Sequence, residues 1–198
     1  MISSALAGFA TSIALIAVIG SQNAFVLRQG LRREYVVPVV VTCAASDALL
    51  ISAGIAGLGE LLTRHPAVVV VIRWGGAAFL LCYAVLAARR ALRPSALTPT
   101  VQGSAAFRAT ILACLAFTYL NPHVYLDTVL LVGGVANQHA YPWLFGAGSV
   151  LASVVWFTAL GAGAHRLAPL LARPMAWRIL DAVVAAMTAT IAATLILQ

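Results

Sequence analysis

The chain has 198 residues, of which 63% are hydrophobic and only 9% charged, and its mean hydropathy is +1.01. Soluble domains run near ~45–50% apolar and ~25% charged, so an ordinary water-soluble fold is excluded, and disorder is excluded with it. Every one of the 12 basic residues is Arg; against them stand Glu34, Asp47, Glu60, Asp127 and Asp181, giving a formal net charge of +7.

A spanning helix takes roughly 20 apolar residues, so the length suits about six crossings and an all-α integral membrane fold. The first apolar run covers about Ser4 to Leu27 and ends in Arg28-Gln29-Gly30-Leu31-Arg32-Arg33. No basic residue precedes it, so it lacks the charged start of a cleaved signal peptide and reads as a retained span. The second runs from Val36 to Leu62 and the third from Ala67 to Ala88, closing at Arg89-Arg90. A Pro/Ser/Thr-rich stretch, about 93–104, follows and reads as a linker. The fourth run, Phe107 to Ala136, is overlong and interrupted at Asn121-Pro122; Tyr141 to Ala164 and Trp177 to Leu197 complete the six. A re-entrant run would leave five.

Arg distribution predicts orientation. The first, third and fifth connections hold Arg28, Arg32, Arg33, Arg89, Arg90, Arg93, Arg108, Arg166, Arg173 and Arg178, whereas the other side has only Arg64 and Arg73. By the positive-inside rule the odd connections face the cytoplasm and both termini lie outside. This bias also accounts for the net charge without any nucleic-acid partner.

The chain reads as one transmembrane domain built from two similar halves, about 1–92 and about 105–198. Asn23 and Asn121 are 98 residues apart, and Trp74 and Trp177 are 103 apart. Three spans per half make the second half enter from the opposite face, the inverted-repeat architecture of many secondary transporters.

Several polar residues fall inside the spans. Asp47 stands about twelve residues into the second run, roughly 18 Å at helical rise, which is mid-bilayer. An embedded carboxylate is costly unless it is paired or faces water, and its partner in a purely structural reading is Arg28 or Arg73. Asp127 is the second embedded acid, one helical turn after His123, a spacing at which the two share a face. Pro122 cannot donate the hydrogen bond that the carbonyl of Thr118 would accept, so the fourth helix breaks there, with the Asn121 side chain or the Thr118 hydroxyl available to compensate. Gly20-Ser21-Gln22-Asn23 puts a matching polar break in the first run, and paired breaks point to a transport site. Glu60, Asp181 and Arg178 lie near run ends and read as interfacial. Trp74, Trp143 and Trp177 suit aromatic belts, with Trp156 packed deeper in the bundle. Cys43, Cys82 and Cys114 have neither paired nor metal-ligand spacing and read as packing residues. No phosphate loop, zinc spacing or nucleophile triad is apparent, so neither metal nor cofactor is expected.

Gly20-Ser21-Gln22-Asn23-Ala24-Phe25-Val26-Leu27-Arg28-Gln29-Gly30 and Thr118-Tyr119-Leu120-Asn121-Pro122-His123-Val124-Tyr125-Leu126-Asp127-Thr128, with Ser46-Asp47 and Arg73-Trp74-Gly75, strongly resemble the LysE/ArgO amino-acid exporters. The resemblance covers essentially the whole chain; Ser21 departs from it, since relatives commonly carry Pro there. It implies a multi-pass protein of a prokaryotic cell membrane that exports L-lysine and/or L-arginine without acting as an enzyme. In that reading Asp47 and Asp127 face the cation and exchange it for protons. Gln22, Asn23 and Asn121 hold the amino-acid head group at the broken helices, Pro122 makes one break, and His123 tunes Asp127. A neutral-amino-acid exporter of the same family differs in pocket charge alone. An intramembrane aspartyl enzyme would use the two acids as a dyad, but Ala45-Ser46-Asp47 and Tyr125-Leu126-Asp127 lack the Gly-x-Gly-Asp context, and a thiol-redox protein would need paired cysteines. A homo-oligomer is compatible with all of these.

Overall fold

The structure, a computed structural model, describes residues 1–17, 20–92, 104–167 and 174–197. Among them every regular element is a helix: α1 (Ile2–Ile16), α2 (Ser21–Arg32), α3 (Val36–Ile55), α4 (Leu58–Arg64), α5 (Pro66–Leu92), α6 (Ser104–Tyr119), α7 (Pro122–Ala136), α8 (Pro142–Leu167) and α9 (Pro174–Leu197). Four helices among the described residues contain unbroken apolar spans: Val36–Ile55, Ala67–Leu92, Pro142–Ala164 and Arg178–Leu197. Two bent pairs, α1 with α2 at 84° and α6 with α7 at 60°, bring the total to six if each pair is one span. The protein is an all-α integral membrane protein. Val37, Leu49, Leu112 and Leu151 point outward, each more than half exposed, as residues bathed in hydrocarbon do.

Three boundaries differ from the sequence expectation. The break in the first run falls between Ala17 and Gly20, so Asn23 stands in the first turn of α2 and not at the bend itself. The second run is split: α3 stops at Ile55, Gly57 turns the chain with a φ of 101° that suits glycine, and α4 continues as a short separate helix. The expected linker, about 93–104, lies outside the described residues except for Ser104, as do Arg93, Arg173 and the side chain of Trp177.

The fourth-run break is resolved by local chemistry. Asn121 is extended, and its side-chain oxygen accepts from the His123 N–H at 3.2 Å, capping α7 with Pro122 at its first position. The Thr118 carbonyl accepts instead from the Asn121 N–H at 3.4 Å, and the Tyr125 hydroxyl donates to the Tyr119 carbonyl at 2.9 Å. Thr118, expected to help, donates its hydroxyl back to Cys114 within α6. Beyond the cap, Tyr125–Val132 widens into π-helical turns, a rare form that clusters at functional sites.

The helices cross through small residues. A Cβ placed on Gly54 of α3 would lie 2.6 Å from the Val129 carbonyl oxygen of α7, and one on Gly30 of α2 would lie 2.5 Å from the Gly161 carbonyl oxygen of α8. Only hydrogen fits at either contact, so backbones meet directly, as membrane helices do where no hydrophobic effect holds them together. At the other end Phe25, Phe79, Tyr83 and Phe117 form an aromatic cluster, with ring centroids 4.6 Å apart for Tyr83 and Phe117 and 4.9 Å for Phe79 and Phe117.

Candidate functional site

Two bent helices leave polar ends inside the bundle, and a cavity of about 450 Å³ opens between them. That size lies within the range of small-molecule sites, roughly 300–1,000 Å³. Gln22 and Asn23 reach it from α2, Asp47 from α3, and Asn121, His123 and Asp127 from the second break. Six of the seven sequence candidates therefore share one cavity wall. Pro122 is buried behind it, near the close approach of Gly76 to the Leu120 carbonyl, and shapes the wall without lining it.

Asp47 is 3% exposed, and its Oδ2 accepts a 2.6 Å hydrogen bond from Ser153 of α8. Neither Arg28 nor Arg73 reaches it. Arg28 instead faces Asp181 at 3.3 Å, and the Arg73 guanidinium carbon lies 5.8 Å from the Trp74 ring centroid. In place of the arginine that a purely structural reading of Asp47 would require stands a neutral hydroxyl. Asp127 is half-buried in the π-helical turns. His123, also on the cavity, is exposed, and among the described residues no hydrogen bond or ion pair joins it to Asp127.

Asn23 is held on both sides. Its Nδ2 donates to the Ile16 carbonyl at 2.7 Å, satisfying an acceptor that the first break frees, and its Oδ1 accepts from Trp156 Nε1 at 3.2 Å. Two buried donors on the same cavity, Ser12 Oγ and Gln22 Nε2, have no protein partner. Buried polar groups are rarely left unsatisfied, so these are groups a ligand or water would meet. Ser12, Thr128 and Ser153 were missed by sequence reasoning; a small hydroxyl in an apolar run carries no periodic signal.

Two sequence expectations change: Asp181 is enclosed, and Cys82, unlike Cys43 and Cys114, is exposed rather than packed in the core. Asp181 is not open to the surface as a run-end acid would be: it is 5% exposed, enclosed between Arg28 and Arg90. Glu60, by contrast, forms an exposed ion pair with Arg64, and Arg178 is exposed, its Nε donating to the Ala91 carbonyl. Cys43 and Cys114, 71 residues apart, touch through their sulfurs at 3.3 Å where α3 meets α6, while Cys82 is exposed.

The family model of the LysE type translocators matches residues 13–198. The chain belongs to the LysE family. Within the family it is 56% identical over 168 residues to "Putative amino-acid transporter Rv0488" of Mycobacterium tuberculosis, covering 84% of each chain. It is 44% identical over 183 residues to the arginine exporter protein ArgO of Serratia proteamaculans, covering 90% of this chain and 89% of that one. With the lysine exporter LysE of Corynebacterium diphtheriae it shares 34% over 225 residues, covering 98% and 99%. No solved structure matches. A translocator moves a solute without transforming it, so this LysE-family chain is a transporter and the aspartyl-enzyme reading falls away.

Proposed function

We propose that the protein exports basic amino acids, L-lysine and/or L-arginine, across the cell membrane. The observation that carries this reading is the cavity with two carboxylates, Asp47 and Asp127, and no arginine among its lining residues. A buried carboxylate without a cation is costly, and cationic cargo offsets that cost when it binds. The amide and hydroxyl groups of Gln22, Asn23, Asn121 and Ser12 suit the zwitterionic head group. The homology to the lysine and arginine exporters supports the same substrate class.

Proton exchange belongs to the same reading. Burial penalises a charged carboxylate and a bound cation favours it, so cargo and proton compete for Asp47 and Asp127. With the outside positive, expelling a cation is opposed by about 2.3 kcal/mol per charge per 100 mV, and an entering proton cancels that electrical cost. The two bent pairs, one in each half, favour inverted repeats, and the Arg-rich connections favour the cytoplasm.

Counterflow of labelled arginine, lysine and threonine in proteoliposomes at two pH values tests the proposal. Arginine or lysine uptake against cold cargo is expected, with threonine inert. Threonine exchange in place of the basic amino acids overturns it.

A further inference from the structure

Away from the cavity, the ends of α2, α5 and α9 bury a second charged group. Asp181 Oδ1 lies 3.3 Å from Arg28 Nη2 and 3.5 Å from Arg90 Nε. Arg28 is 8% exposed and Asp181 5%, while the Arg90 side chain is open by about a third (34%). The Tyr83 ring sits 5.4 Å from the Arg90 guanidinium carbon. One carboxylate thus serves two guanidinium groups. Glu34 and Glu60 are engaged by Arg32 and Arg64, and Asp47 and Asp127 line the cavity, so the cluster has no second acid.

Arg28 Nε and Arg90 Nη2 are buried and meet no acceptor among the described residues. Guanidinium forks match the paired oxygens of a phosphoryl group, and such charge-assisted bonds are the strong ones. Arg90 stands two residues before the end of α5, where a span reaches the headgroup layer, and the cluster opens to the surface through it. Leu86, one helical turn before Arg90 on α5, is half exposed and apolar.

We propose that Arg28 and Arg90 form a binding site for a phosphoryl group, delivered by an anionic phospholipid headgroup at this end of the bundle. The site is independent of the transport cavity and of what passes through it. Bound there, the headgroup supplies the missing negative charge and ties α2, the second arm of the first broken span, to α5 and α9.

The test uses the full chain in a phosphate-free maltoside detergent at constant ionic strength. Phosphatidylglycerol, digalactosyl-diacylglycerol (a bilayer lipid without phosphate) and inorganic phosphate are added separately. Thermal unfolding is followed, and retained adducts are weighed by native mass spectrometry. Phosphatidylglycerol is expected to raise the melting temperature by several degrees and to leave one retained lipid, while the galactolipid does neither. Arg90→Gln, which leaves a neutral Arg28–Asp181 pair, is expected to lose both effects. Arg89→Gln, an exposed neighbour with the same change in charge, keeps them. Stabilisation by inorganic phosphate alone, lost in Arg90→Gln, keeps the site and assigns its ligand to a soluble anion. Equal effects of the two lipids on the wild-type protein, or no effect of either phosphate source, overturn the proposal without recourse to any variant.

Discussion

Two buried acidic regions of this molecule are treated in opposite ways. Asp181 is surrounded by more positive charge than it can neutralise, whereas Asp47 and Asp127 line a cavity with no arginine among its described lining residues. The membrane interior penalises an isolated charge of either sign, so a difference this large between two sites in one bundle reflects different tasks. At Asp181 the protein holds three helices together with permanent charges. At Asp47 it supplies one neutral donor, Ser153, and leaves the rest of the carboxylate for something that comes and goes.

The largest expected effect breaks the comparison on its structural side. Asp181→Asn strands the buried Arg28 guanidinium and the partly exposed one of Arg90, and removing one member of a buried ion pair costs about 3–5 kcal/mol. The variant is expected to insert poorly and to melt far below the wild-type protein in a fluorescence-detected thermal ramp. Arg90→Gln on that background should recover part of the loss. On the other side, Asp47→Asn removes a charge with no cationic partner, so yield and melting temperature should hold while arginine counterflow falls about 100-fold, or ~2.7 kcal/mol. Asp127→Asn is expected to behave in the same way, somewhat more mildly, because Asp127 is only half-buried. If Asp47→Asn instead unfolds the protein, the two regions are alike and the distinction fails.

Much of this was legible in the chain before any coordinates. That the spans are helices follows from apolar run length, and the break at Asn121-Pro122 follows from a missing N–H, both local properties. The convergence of Gln22, Asn23, Asp47, Asn121, His123 and Asp127 was readable because intramembrane polar groups have few places to go. What escaped was the pairing of distant residues. Ser153 lies 106 residues from Asp47, and Cys114 lies 71 from Cys43, so spacing carries no trace of either contact. Asp181 read as an open run-end acid because it sits near the start of a run; Arg28, from another helix, encloses it. The π-helical turns around Asp127 depend on how α7 packs after its cap, which no periodicity announces.

The helix crossing beside the cavity gives a smaller effect of a different kind. Gly54 of α3 meets the Val129 backbone of α7, so Gly54→Ala must push the two helices apart. Overpacking typically costs about 1–3 kcal/mol. Because α3 carries Asp47 and α7 carries Asp127, the same displacement separates the carboxylates, and transport should drop more than stability does. Gly134→Ala on α7, where an added Cβ meets nothing within 4 Å, should leave both unchanged and serves as the control.

The smallest effect sharpens the comparison most. Ser153→Ala removes the hydroxyl at 2.6 Å from Asp47 and changes little else, since Ser153 is fully buried and alanine fills nearly the same space. A hydrogen bond to a charged group contributes about 1.5–3 kcal/mol, but water in the adjoining cavity can replace part of it. Counterflow is therefore expected to fall about 10-fold, or ~1.4 kcal/mol, with the melting temperature within a degree or two of wild type. The direction of the KM change separates two roles for the serine. If it only aims the carboxylate at cargo, KM for arginine rises and the maximal rate holds. If it stabilises the carboxylate between cargoes, an Asp47 relieved of that bond holds arginine more tightly, and KM and maximal rate fall together. No change in either would mean that Asp47 is solvated like a surface acid, and the contrast with Asp181 would rest on burial alone.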